Sequence, residues 1–150
     1  MPQSLANILV HVIFSTKNRV PLILPEIEGQ LYPYFASICR AHGCPAHAAG
    51  GTENHVYIAC SLGRTVSVSD LVQEVKRSSS KWIKTKGARY RAFAWQNGYG
   101  AFSIGQSQLG ALKGYIARQK EHHRVKTFEE EFREFLKRYQ IEYDERYVWD

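Results

Sequence analysis

Long hydrophobic runs are missing from this 150-residue sequence: no apolar stretch approaches the roughly 20 residues that span a bilayer. No basic segment followed by an apolar one opens the chain, so neither a membrane anchor nor a secretory leader is expected. Cysteine is scarce and odd in number, with Cys39, Cys44 and Cys60 only. That excludes the disulfide framework of a small secreted scaffold and points to reduced thiols in a cytoplasmic protein. Phosphate-cradling glycine motifs are also lacking. Gly98, Gly100 and Gly105 in "FAWQNGYGAFSIG" fit neither the dinucleotide fingerprint nor a P-loop, so no nucleotide cofactor is expected. Repeats, linkers and low-complexity tracts are absent.

What is present is a chain with 44% hydrophobic and 23% charged residues, enough for one domain with a proper core. Its net charge of +6 is unevenly spread. Residues 1–126 hold 16 Lys/Arg against 6 Asp/Glu, whereas residues 127–150 hold 4 against 8. A basic body with an acidic tail suggests a polyanionic partner, nucleic acid first among them. The expected organisation is a body over 1–126 and an acidic helical extension over 127–150 packed on the same domain.

Periodicity gives the elements. "NILVHVIFSTK" (7–17) reads as a strand. A helix follows from Pro25, with Ile27, Leu31, Phe35 and Ile38 at helical spacing and a kink or late start expected at Pro33. Strands are expected over 46–51 and 55–62, joined by a Gly-Thr-Glu-Asn turn. Ser67 or Ser69 caps a second helix, 93–105 reads as a strand or hairpin, and helices follow over 106–122 and 127–139, the last opened by a Thr127/Glu130 capping box. The order β-α-β-β-α-β with trailing helices predicts an α+β, ferredoxin-like or RRM-like fold: a four-stranded antiparallel sheet with helices packed on it, plus a C-terminal helical extension.

Four constellations could carry chemistry. Cys39, His42, Cys44 and His47 crowd within nine residues across a helix end at Gly43 and Pro45, a poor match to the paired, loop-separated ligands of zinc sites. In "TENHVYIAC", Glu53, His55 and Tyr57 alternate and so fall on one face of a strand. The second helix carries Lys76, Arg77, Ser80, Lys81 and Lys84, continuing to Lys86, with no acid between 76 and 91 and Trp82 interleaved. Cations and hydroxyls contact phosphates, and an indole can stack on a base. In "GALKGYIARQKEHH", Tyr115 and Gln119 stand one helical turn apart beside an apolar stripe. On spacing alone, these two fit a boundary tyrosine and a surface amide better than a catalytic pair.

Taken together, the strand "NHVYI", the basic Ser-rich helix, "FAWQNGYGAFS" and the Y-x-x-x-Q helix resemble the HUH-type tyrosine transposases of small bacterial insertion sequences, over nearly the whole length to about His123. The resemblance implies a tyrosine, here Tyr115, that attacks a phosphodiester of single-stranded DNA to leave a 5′-phosphotyrosyl link and a free 3′-OH. It implies Mg2+ or Mn2+ held by His55 and Gln119, hairpin DNA gripped by the basic helix, and a homodimer with composite active sites. Where the family has a second histidine, this chain has Tyr57. A phenol is a poor ligand, so Tyr57 itself or Glu53 is left to fill the position. The alternative is a catalytically impaired, domesticated module that grips hairpin DNA or RNA without cutting it.

Overall fold

The computed structural model describes residues 2–150. Four strands, β1 (Leu9–Ser15), β2 (Ala46–Gly51), β3 (His55–Ser61) and β4 (Gly100–Ile104), form one antiparallel sheet in the order β2-β3-β1-β4. Helices α1 (Pro25–Ala41) and α2 (Val68–Lys84) supply the two crossovers, as the β-α-β-β-α-β pattern requires. Three further helices follow: α3 (Leu109–Ala117), the short α4 (Gln119–His122) and α5 (Phe128–Arg138). Among the described residues, no helix is long and apolar enough to cross a membrane.

Strand alternation divides the sheet into two buried faces. Val10, Val12, Phe14, Val56, Ile58 and Cys60 point to α1 and α2, meeting Ile27, Leu31, Phe35, Leu71, Val75 and Ile83. Ile13, Tyr57, Ala59 and Phe102 point the other way, to Ile116 of α3 and to Phe128, Phe132, Phe135 and Leu136 of α5. The acidic segment therefore covers the second face of the sheet. Each of its buried aromatic or leucine side chains contributes about 1.5–3 kcal/mol of burial. Ser67 caps α2 by accepting from Asp70 N at 3.1 Å, and Thr127 caps α5 by accepting from Glu130 N at 3.1 Å.

Three expectations are corrected. Pro33 does not delay α1, which starts at Pro25 and runs through it to Ala41. The helix expected over 106–122 breaks at Arg118 (φ −103°, ψ 21°), whose N–H bonds the carbonyls of Gly114 and Tyr115. Most of the segment 93–99 lies outside the sheet, touching it through a bridge between Thr16 and Trp95.

Candidate active site and nucleic-acid interface

β3 and the α3–α4 break bring the sequence-predicted site residues together. His55 and Tyr57 share the face of β3 that α3 and α5 cover, and both are fully buried. The Arg118 break sets Gln119 beneath the end of α3, where its Nε2 donates to the Tyr115 carbonyl (3.3 Å) and its Oε1 lies 3.2 Å from His55 Nε2. α3 approaches the sheet closely because Gly50 of β2 lacks a side chain; a Cβ there would stand 2.8 Å from the Ile116 carbonyl oxygen and 2.9 Å from its Cγ2. Tyr115 stacks on Tyr57 with ring centroids 6.0 Å apart, and His122 lies edge-on to it at 5.2 Å.

Glu131 of α5 closes this cluster. Only 2% exposed, its Oε1 accepts a hydrogen bond from the Tyr57 hydroxyl. Its Oε2 lies 2.7 Å from His122 Nε2 and 3.0 Å from His123 Nε2, close contacts without hydrogen-bond alignment. His123 Nε2 in turn reaches Gln119 Oε1 at 2.9 Å. A continuous polar chain thus runs from His55 through Gln119 and His123 to Glu131 and Tyr57. Glu131 and His123 escape a motif-based reading of the sequence. The available signal for Glu131 was positional: Phe128, Glu131, Phe132 and Phe135 fall at i, i+3, i+4 and i+7, so this glutamate stands in the apolar stripe.

Burial sets the protonation of these groups. It lowers His55 to about 3, assisted by His123 and opposed by the bond to Gln119, so the imidazole is neutral. It lowers His123 as well, with His122 adding to the effect. It raises Glu131 to about 8, with Glu134 adding, and raises Tyr115 to about 12, with the Gln119 amide pulling the other way.

His55 Nδ1 lies 2.9 Å from both Asn54 Oδ1 and Thr52 Oγ1. Asn54 Oδ1 and Gln119 Oε1 each face a ring nitrogen of His55, and the neutral imidazole can donate to only one of them. In the tautomer protonated at Nδ1, Nε2 and Gln119 Oε1 would together offer two ligand atoms to a divalent cation. The other two expected ligands do not share this position. The Tyr57 hydroxyl is committed to Glu131, and Glu53 lies in the exposed turn before β3, off the strand face. Among the described residues, no group of three His, Cys, Asp or Glu side chains is disposed to hold a metal. Cys39 and Cys44 are core residues, while His42 pairs with Glu74 at 3.7 Å.

The basic residues occupy the opposite side of the sheet. α2 and the segment 93–99 enclose a groove of about 480 Å³ that includes Arg77, Ser80, Lys84, Asn97 and Tyr99. Lys81, Lys84 and Lys86 are exposed, and the Lys86 ammonium sits 4.6 Å over the Trp82 ring. Trp82 itself stacks on Tyr34 (5.2 Å, 15°) rather than standing free. Lys76 departs from the expected role. Its amine donates to the carbonyls of Gln96 (2.8 Å), Asn97 (3.2 Å) and Gly98 (2.6 Å), and burial lowers its pKa to about 8. It fastens the loop that forms the groove wall. Arg77 is bonded to both oxygens of Glu74, at 2.6 and 2.7 Å, a neutralising acid just upstream of the basic run.

No curated protein matches the sequence significantly. Two solved structures share the fold. One is a candidate transposase from Deinococcus radiodurans R1, with TM-score 0.62 and 17% identity over 79% of this chain and 98% of that one. The other is a REP-associated tyrosine transposase bound to a REP hairpin, with TM-score 0.60 and 14% identity over 82% of this chain and 72% of that one. The family model described as "Transposase IS200 like" matches residues 4–119, which reach from before β1 to Gln119. With more than three quarters of its length so matched, the chain belongs to the IS200-like transposase family.

Proposed function

We propose that the protein binds single-stranded and hairpin DNA and transfers strands through a 5′-phosphotyrosyl intermediate on Tyr115. The observation that carries this reading is the convergence of Tyr115, Gln119 and His55 from two separate elements of a family fold. The phenol oxygen attacks phosphorus, the P–O3′ bond breaks, and the ester conserves the bond energy for rejoining, so no nucleotide is consumed. At neutral pH the phenol is protonated and must lose its proton in the attack. In this reading His122, edge-on to the Tyr115 ring and beside Glu131, would receive it. Mg2+ or Mn2+ held by His55 Nε2 and Gln119 Oε1 would polarise the scissile phosphate.

In this reading Arg77, Ser80, Lys81, Lys84 and Lys86 grip the DNA backbone, and Lys76 holds the loop beside them. The hairpin in the related solved complex supports that choice of partner. The segment 127–150 forms an extension of the same domain. A homodimer in which α3 completes the partner's site belongs to the same proposal. Mixing Tyr115→Phe with His55→Ala chains would then restore cleavage that neither shows alone, whereas mixtures as inactive as their parts would favour a site built within one chain.

The test uses single-stranded oligonucleotides copied from DNA flanking the gene, incubated with Mg2+ or Mn2+ and run on denaturing gels. A covalent adduct lost in Tyr115→Phe is expected. A retarded band on native gels with no adduct would instead support the second reading, a binding module without cleavage. The commitment of Tyr57 to Glu131, which leaves His55 without a second imidazole on β3, is the observation that favours that alternative.

A further inference from the structure

Between α3 and α5 lies a cavity of about 490 Å³ that Tyr115, His122 and Glu131 line on one side and that extends past them to His11, Arg138 and Tyr139. Its volume is that of a ligand pocket. Leu112, Phe135 and Tyr139 give it flat apolar walls, and Arg138, Lys126 and His122 bring cationic or imidazole groups to it. His11, on the β1 face that looks toward α5, also lines it. This imidazole is 2% exposed, packed edge-on against Tyr57 and Phe135, and its Nε2 has no hydrogen-bond partner. A buried polar atom left unpaired costs about 1–3 kcal/mol and asks for an explanation, and a ligand that opens its way to the atom is one. Glu131 and Glu134 are the acids of the cavity; Glu134 is held by Lys126 at 2.7 Å, and Glu131 by the Tyr57 hydroxyl.

We propose that this cavity seats one unstacked nucleotide of the single strand beside the attacked phosphodiester, and that His11 Nε2 reads the edge of its base. The inference rests on the strand-transfer reading, since Tyr115 forms one wall and a phosphate reaching its hydroxyl brings a neighbouring nucleotide with it. A flat base suits the apolar walls, Arg138 suits its phosphate, and one directional hydrogen bond from a neutral imidazole distinguishes base edges. His11 would then determine which base stands next to the cut.

The experiment titrates the four deoxynucleoside 5′-monophosphates into full-length protein labelled with 15N-histidine. One nucleotide is expected to bind about tenfold more tightly than the weakest, a hydrogen bond's worth, and to shift the His11 Nε2 resonance. His11→Phe, which keeps the ring and removes the polar atom, is expected to level that preference. Nucleotides that bind without moving the His11 resonance, or a preference that survives in His11→Phe, would overturn the assignment. So would failure of all four to bind a protein that still forms the Tyr115 adduct with single-stranded DNA. Absence of that adduct in the wild type would count against the parent reading instead, so the two failures are distinguishable.

Discussion

Gly100→Ala tests whether the acidic extension is seated on the sheet as described. A Cβ at Gly100 would lie 2.5 Å from Phe132 Cε1, 2.9 Å from its Cζ and 3.0 Å from Phe102 Cε2. Carbon atoms pack at about 3.5–4.0 Å, so the Phe132 ring must retreat by about 1 Å. Gly100 has no positive φ, and alanine meets no backbone penalty there. Overpacking of this kind costs about 1–3 kcal/mol, against a gain of about 0.5–1 kcal/mol from replacing glycine inside a strand. A net loss of about 1–2 kcal/mol is expected from urea unfolding. Phe132→Ala alone should cost about 3–5 kcal/mol, and in that background the new methyl at position 100 enters vacated space and should cost nothing or stabilise slightly. The double-mutant cycle therefore predicts a coupling of about 1–3 kcal/mol. Equal costs of Gly100→Ala in both backgrounds would mean the ring does not cover Gly100, and the reasoning that places α5 on the Tyr57 face of the sheet would fall with it.

Stability should depend on pH through three buried groups. His11 and His55, each lowered to about 3, are protonated more readily in the unfolded chain, so each withdraws about 1.4 kcal/mol of stability per pH unit as pH falls below about 6.5. Glu131, raised to about 8, acts oppositely between its ordinary value and 8, so Glu131→Gln should steepen the acid-side loss between about pH 4.5 and 6.5; urea midpoints across that range that ignore the substitution would refute this. Gly50→Ala should lower strand cleavage by lifting α3 off β2 without touching Tyr115, and a cleavage assay at wild-type rate would show that the close approach is dispensable. On the basic helix, Lys84→Ala should reduce the slope of log affinity against log salt by about one, whereas Lys76→Met should lower thermal stability and leave the slope unchanged. The reverse pattern in a salt titration would put the phosphate contact on Lys76.

The strands and the layered fold were legible because alternation in "LVHVIFS" and "HVYIACS" is a local property that the sheet merely executes. The shared face of His55 and Tyr57 followed from the same rule. Glu53 did not, because the turn at Gly51–Asn54 starts the strand two residues later than the alternation implies. The break at Arg118 is invisible in residues that all tolerate helix, and it is settled by what Gln119 meets on β3. Lys76 looked like its exposed neighbours until the loop at 96–98 was in place. Glu131 stands in a run of three glutamates of which two face away, and only the tertiary position of α5 separates them.

The two-faced sheet has a consequence for how such a protein can change over generations. The lysines and Arg77 of α2 stand on one side of the strands, while Tyr115 and its companions stand on the other, with the sheet between them. Substitutions that silence the second side leave the first with its packing and its charges. On the proposed reading, grip and scissors would be inherited as separable traits, and a descendant of a mobile element could settle into holding DNA by the loss of a few side chains, with nothing to rebuild.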